Sequence, residues 1–432
     1  MATFLQETQT SGNRRIWTWS CWVKRCETGT SHSLMNTRGS DDDRIQFHSS
    51  DVIRILLNGS ASSFLVTNRL YRDVNAWYHI VVSVDTTQST AANRIKLYVN
   101  GVQETSFSTE NYPSQNYDTF LNNSNTMTVG GVTGGAETLN GSMSHIHYID
   151  GTAYDASAFG ETDATTGIWK PKTAPSVTYG TNGFFLKFEN SGSMGTDSSG
   201  NANNFTVNGT MTQTIDTPSN VFATMNSLDK TPFGTSITYS DGNTTTTASA
   251  GTDWTTRYSF SSLAITQGKW YAECKVGNVG VSNQFYLGVI KDRQTATINS
   301  SLGGIANGYG YYANSGNILN NGSDLSTSGA SYTTGDIIGM ALDLDNGTLD
   351  FYKNGVAQGD QVTSLDTTAD WQFTGNAYQD ATWNWNFGNG YFGTTAVSSA
   401  QNPDDGIGIF EYAVPTGYRA LCTKSINAEE YS

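Results

Sequence analysis

Glycoside hydrolysis needs two carboxylates on one strand face, one as nucleophile or base and the other as proton donor. Side chains two residues apart on a strand share a face, and Asp343 and Asp345 have that spacing, as do the acids of Glu161-Thr162-Asp163. His145 and His147 alternate in the same way and could hold a transition metal, although no third ligand is in view. The chain has five histidines and no G-x-S-x-G turn, so no Ser-His-Asp arrangement is recognisable. A sugar-binding surface makes a different demand: an aromatic face for C–H groups and planar polar side chains for hydroxyls. Tyr309, Tyr311 and Tyr312 lie in a Gly-rich segment, Trp371 and Tyr378 read as loop residues, and Trp22 faces away from the Trp17/Trp19 side of its strand. These six are the candidate ligand contacts. Trp17, Trp19 and Trp270 read as core, because strand tryptophans in sandwiches fill the space between sheets.

The elements that would position these groups are strands. The 432 residues include only 14% charged side chains, against 45 Gly and 12% aromatics. That combination is turn chemistry plus strand-favouring residues, and blocks of helix formers are scarce. The length suits two domains better than one. The expectation is an all-β chain of two tandem antiparallel, jelly-roll-like β-sandwiches.

The net charge is −15, from 23 Lys+Arg and 38 Asp+Glu. Without basic clusters there is nothing to release counterions from a phosphate backbone, which argues against a nucleic-acid partner. Cys21, Cys26, Cys274 and Cys422 make neither a disulfide framework nor a CxxC metal pair, and are expected reduced and buried. Cys21 and Cys26 could approach each other only across a bend, since an odd spacing puts them on opposite strand faces. The first ten residues lack the pattern of a secretory signal, and no run reaches membrane-spanning length, so no membrane insertion is expected.

Along the chain, RRIWTWSCWVKR (14–25) alternates Trp17, Trp19, Cys21 and Val23 onto one face and Trp22 onto the other, as a central strand covered on both sides would. WYHIVVSV (77–84) continues the theme. Asn100-Gly101, Asn346-Gly347 and Asn354-Gly355 are hairpin turns whose two positions favour positive φ. LYVNGV (97–102) is echoed by FYKNGV (351–356), which points to two sandwiches of related architecture. The boundaries are placed at 1–190 for the first domain, 191–219 for a Gly/Ser/Asn-rich linker in which Phe205 and Val207 could add a short strand, and 220–432 for the second. No long helix is expected.

WTWSCWVKR, AWYHIVVSVD with IKLYVNGV, and LNGSMSHIHYIDG (139–151) give the first domain a resemblance to the laminin-G or concanavalin A-like lectin/glucanase superfamily. The second resembles SPRY domains through GKWYAECKV (268–276), FYLGVI (285–290), GYGYYANSG (308–316), GDIIGMALDLDNGTLDFYKNG (335–355) and WNFG (385–388). The tandem, with GNRRIWTWS, FGETDATTGIWKPK (159–172), GTDSSGNANNF (195–205) and PTGYRALCT (415–423), looks like virion proteins of tailed phages, notably marine ones.

The first resemblance implies Glu-x-Asp-x-Glu strands in its hydrolases, and nothing here matches: Glu161-Thr162-Asp163 lacks the third acid. It also implies Ca2+ as a possible cofactor on loop oxygens, with Asp41, Asp42, Asp43, Asp150 and Asp155 as candidate ligands and solvated acidic turns as the other reading. In SPRY folds Asp343 and Asp345 shape a hairpin, and the GYGY block is partly core. The virion resemblance implies a non-enzymatic protein, made in the host cytoplasm and displayed on the particle exterior. As a homo-oligomeric tail-fibre or adhesin component it would recognise a host surface glycan or receptor. The rival is capsid decoration or a tail component binding other virion proteins, and a glycan hydrolase is a distant third.

Overall fold

The computed structural model describes residues 3–37, 43–57, 64–229 and 234–430. They form two compact units. One holds the chain through Gln213 with Thr217–Ser219, and the other holds Thr214–Asp216 and the chain from Asn220.

The first unit is a sandwich of antiparallel sheets. Its six-stranded sheet runs in the order Phe184–Leu186, Gly141–Asp150, Ile16–Arg25, Tyr78–Asp85, Ile95–Val99, Val102–Glu104. Ile16–Arg25 sits at its centre, with Trp19 paired to Val82 on one side and to Tyr148 on the other. Trp17, Trp19, Cys21 and Val23 enter the inter-sheet core. There they meet Leu34, Ile45, Phe47, Ile55 and Met127 from the eight-stranded sheet. The opposite face of the strand is buried too, and Trp22 stacks there on His79. Beside it, Phe159 and Trp169, at the hairpin of Gly160–Thr162 and Trp169–Pro171, cluster with Val81 and Ile149 of the same sheet.

Within residues 191–219 there is a short strand, Thr206–Asn208, around Val207. Thr206–Asn208 pairs with Phe4–Thr8 as the outermost strand of the eight-stranded sheet, and Phe205 is in the core. Asp197 holds the preceding loop by accepting the amides of Phe185, Ser199 and Asn203.

The second unit repeats the sandwich plan. Lys269–Asn278 is flanked by Ala381–Asn386 and Ile337–Asp343, and Arg419–Ala420 adds a short parallel pairing to it. The facing six-stranded sheet runs Tyr258–Phe260, Trp371–Ala377, Phe285–Lys291, Gly308–Tyr312, Ile318–Asn320, Ser323–Ser326. Trp270, Trp383, Trp385, Phe285, Leu287 and Phe373 fill the space between. The one α-helix among the described residues is Thr423–Glu430.

Of the three Asn-Gly turns singled out in the sequence, two have both residues at positive φ: 51° and 82° at Asn100-Gly101, and 49° and 79° at Asn354-Gly355. The third does not. Only Gly347 is positive there, because Asp343 accepts the amides of Asp345 and Asn346 and closes a longer loop before the Asp343–Thr348 pair. The four cysteines are buried thiols with no disulfide among them, and burial pushes Cys21 up to about 12. No helix is long and apolar enough to cross a membrane among the described residues.

Candidate functional site

On the strand Phe285–Lys291, Phe285, Leu287 and Val289 point into the core, so Tyr286 points out. Its neighbour across the ladder is Tyr312, and the two rings stack at 4.4 Å and 12°. The indole of Trp254 meets Tyr286 edge-on at 5.4 Å, and Tyr378 lies 5.3 Å from Trp254. Tyr286 is buried beneath the others, while Trp254, Tyr312 and Tyr378 are half-buried and form an aromatic platform with open edges.

The frame around these rings is tied down. Asn376 donates to the carbonyl of Trp254 (2.9 Å) and accepts the amide of Leu302 (3.1 Å). The amide of Asp253 donates to the carbonyl of Tyr378 at 3.0 Å. The guanidinium of Arg257 donates to the carbonyls of Ser249, Ala250 and Asp253 and so fixes the loop that carries Trp254. Burial raises the phenols of Tyr312 and Tyr286, the latter to about 12, so both remain neutral hydroxyls at physiological pH. A rigid set of rings with neutral donors can stack on a sugar's C–H face or on a peptide side chain.

Of the six aromatic candidates, the structure brings Tyr312 and Tyr378 to this platform. Tyr311 points the other way into the core, against Tyr332 and Phe351, with its hydroxyl donated to the Ala330 carbonyl. Tyr309 is half-buried on the same inward side, 5.6 Å from Trp371. Trp371, expected on a loop, opens a strand and is fully buried, its indole N–H donated to the carbonyl of Asp366. Trp22 is buried and stacks on His79 at 4.7 Å and 11°. Sequence reasoning missed Trp254 and Tyr286. The alternation in FYLGVI could have found Tyr286, but nothing local marks Trp254.

A Ser-His pair was also missed. Ser20 Oγ lies 2.9 Å from His79 Nε2, and the indole Nε1–H of Trp169 donates to His79 Nδ1 at 2.9 Å. Burial pushes His79 down to about 3, with the charge of His145 adding to it, so the ring is neutral. An imidazole that accepts at Nδ1 carries its proton on Nε2, and that proton faces Ser20. Ser20 therefore has no base to take its own proton, and the pair is structural. His147 is bonded to Tyr179 at 3.0 Å and His145 to Ser144 at 2.7 Å.

The acids are similarly engaged. Asp43 accepts the amides of Phe120 and Leu121. Asp150 joins Asn13, Asn122 and Asn182 in a buried polar knot. Asp155 caps the turn at Ser157. Asp41 and Asp42 lie outside the described residues. Asp163 is held below the carboxylate range by Lys170 and by the Thr165 and Thr166 amides. Asp343 is lowered because bonds from Lys269 and Asn346 outweigh its burial. Among the described residues, no three His, Cys, Asp or Glu side chains converge as metal ligands would.

Residues 5–157 match the family model of the concanavalin A-like lectin/glucanases superfamily, and residues 269–373 match that of the SPRY domain. A Ran-binding proteins 9/10 homolog of Drosophila melanogaster is 31% identical over 100 residues, which span 23% of this chain and only 10% of that relative. The SPRY domain of human HERC1 is 19% identical, covering 33% of this chain and 87% of its own with a TM-score of 0.28. A second human SPRY domain is 14% identical, covering 35% and 94% with a TM-score of 0.28. The chain therefore carries a concanavalin A-like domain followed by a SPRY domain, two folds that serve as binding modules.

Proposed function

We propose that this chain is a non-enzymatic binding protein of a phage particle. Its second domain recognises a glycan or receptor on the host surface through Trp254, Tyr312 and Tyr378. The observation that carries the reading is the platform itself: three half-buried rings, backed by Tyr286, on a loop frame fixed by Arg257 and Asn376. Ser20 and His79 supply no base, and the acids described above are spent on backbone amides and lysines. The virion setting rests on the resemblance of GNRRIWTWS, FGETDATTGIWKPK, GTDSSGNANNF and PTGYRALCT to tailed-phage virion proteins. A single platform of this size binds weakly, so a particle gains from many copies through effective concentration, and the working form is a homo-oligomer.

A second reading, contact with neighbouring virion proteins as in capsid decoration or a tail component, is favoured by Val102 and Val356. Each follows an Asn-Gly turn on an edge strand, and they are 71% and 63% exposed. Incubating purified protein with host cells and with extracted surface polysaccharide separates the readings. Retention on either, blocked adsorption of the phage and no new reducing ends are expected. Absence of retention would overturn host recognition, and release of reducing ends would overturn the non-enzymatic assignment.

A further inference from the structure

The segments that carry the platform of the second domain are residues 249–258, 279–290, 300–330 and 371–390. They hold three acids, Asp253, Asp324 and Asp380, and one basic residue, Arg257. The guanidinium of Arg257 is turned to the carbonyls of Ser249, Ala250 and Asp253, so it is committed to the loop. Asp324 is exposed on the strand Ser323–Ser326, opposite Leu319, which packs in the same cluster as Tyr286 and Tyr312. Its charge bears on the Tyr286 phenol. Asp253 precedes Trp254, and Asp380, also exposed, follows Tyr378 by two residues. Excess negative charge beside the rings disfavours an anionic ligand and favours a cation.

The rings are set for the same preference. Trp254 is inclined 65° to Tyr286 at 5.4 Å and 43° to Tyr378 at 5.3 Å. Rings at such angles form a corner, and a compact cation seated there comes within about 6 Å of more than one π face, the range of this attraction. The side-chain amides beside the rings are spent on the frame. Asn376 donates to the carbonyls of Trp254 and Arg257 and accepts the amide of Leu302, and Asn314 donates to the carbonyl of Ser282. A protonated primary amine has three N–H donors that would lose their water there. A trimethylammonium group asks for no hydrogen bond and presents its charge through methyl groups, which aromatic faces accept. On a choline tether it brings no polypeptide backbone, whereas a methylated lysine brings amides and carbonyls that need partners.

We propose, on the reading that the platform is the binding site, that Trp254, Tyr312 and Tyr378 with Asp324 hold the trimethylammonium group of a choline-bearing surface ligand.

Saturation-transfer NMR on the full chain tests this with choline, with its neutral isostere 3,3-dimethylbutan-1-ol, and with a peptide containing trimethyl-lysine. The choline methyl groups are expected to receive saturation at millimolar concentration, severalfold more than those of the isostere or the peptide. Trp254→Leu and Tyr378→Leu keep an apolar side chain and delete a π face, and each should reduce the choline signal severalfold. Asp324→Asn should reduce it as well, and Val356→Ser should leave it unchanged. Asp324 is exposed, so its substitution leaves the fold intact even if the ring substitutions do not. No transfer to choline, or equal transfer to the isostere, would overturn the proposal. So would a stronger signal from the peptide, or a choline signal that survives all three substitutions. Choline binding without retention on host cells would overturn host recognition alone, and retention without choline binding would overturn this ligand alone.

Discussion

The indole N–H of Trp169 donates to Nδ1 of His79 at 2.9 Å, and this one bond sets the tautomer that turns the proton of Nε2 toward Ser20. It joins the covering hairpin to the central sheet and removes the chemistry that a buried Ser-His pair would otherwise invite. Trp169→Phe keeps the packing and deletes the donor, leaving a buried acceptor unpaired. A loss of about 1–3 kcal/mol in denaturant unfolding of the first domain is expected, with no esterase activity gained. Acquired hydrolysis of an activated ester would mean that Ser20 and His79 are a latent catalytic pair.

The same indole limits the turn beside it. Gly101 has φ of 82°, and a Cβ there would stand 2.9 Å from the Trp169 ring. Gly101→Ala combines left-handed strain with a clash and should cost roughly 1–3 kcal/mol, read as a lowered melting temperature. An unchanged melting temperature would show that the hairpin moves freely away from the turn.

In the second domain, Glu273 is buried and accepts the amides of Glu411 and Tyr412. Burial nevertheless wins over these bonds and pushes it up to about 7, from an ordinary 4.5. A carboxyl whose folded value lies above its unfolded one binds more protons when folded, so its contribution to stability falls as pH rises from about 4.5 through about 7. The change is on the order of 3 kcal/mol. Glu273→Gln should lower stability at acid pH, where the acid form is intact, and flatten this slope. An equal slope in the variant would place the dependence elsewhere.

Calcium should matter little to the first domain. Asp43, Asp150 and Asp155 each accept N–H bonds that a bound ion would have to displace. Melting in excess EDTA and in millimolar calcium should agree within a degree or so. A rise of several degrees with calcium would mean that these oxygens turn to the ion.

Adjacent residues on one strand should separate packing from binding. Tyr311→Phe removes a hydroxyl bonded inside the core and should cost about 1 kcal/mol of stability, with ligand affinity intact. Tyr312→Ala should weaken binding roughly tenfold, the effect of about 1.4 kcal/mol, with little change in unfolding. The opposite pattern would move the site to the inner face.

Much of this was legible in the sequence where the cause is local. Trp17, Trp19, Cys21 and Val23 declare a strand by their period, and Asn100-Gly101 and Asn354-Gly355 declare turns by their need for positive φ. Asn346-Gly347 has the same dipeptide but another loop, because Asp343 draws in two amides first. A short strand around Val207 was legible, but not its pairing, because the partner, Phe4–Thr8, lies at the far end of the domain. Trp22 was open to two readings because its stacking partner, His79, lies on a strand far along the chain. Trp254 follows a polar run and gains its place from Asn376 and Arg257, neither of which advertises that role.

Binding through the platform is the central claim, and the dissociation constant for host surface polysaccharide tests it most directly. Measured for the unaltered chain and for Trp254→Ala, with melting temperature as a control, it should rise at least tenfold in the variant while the fold is kept. Equal affinity in a well-folded Trp254→Ala variant would contradict the account.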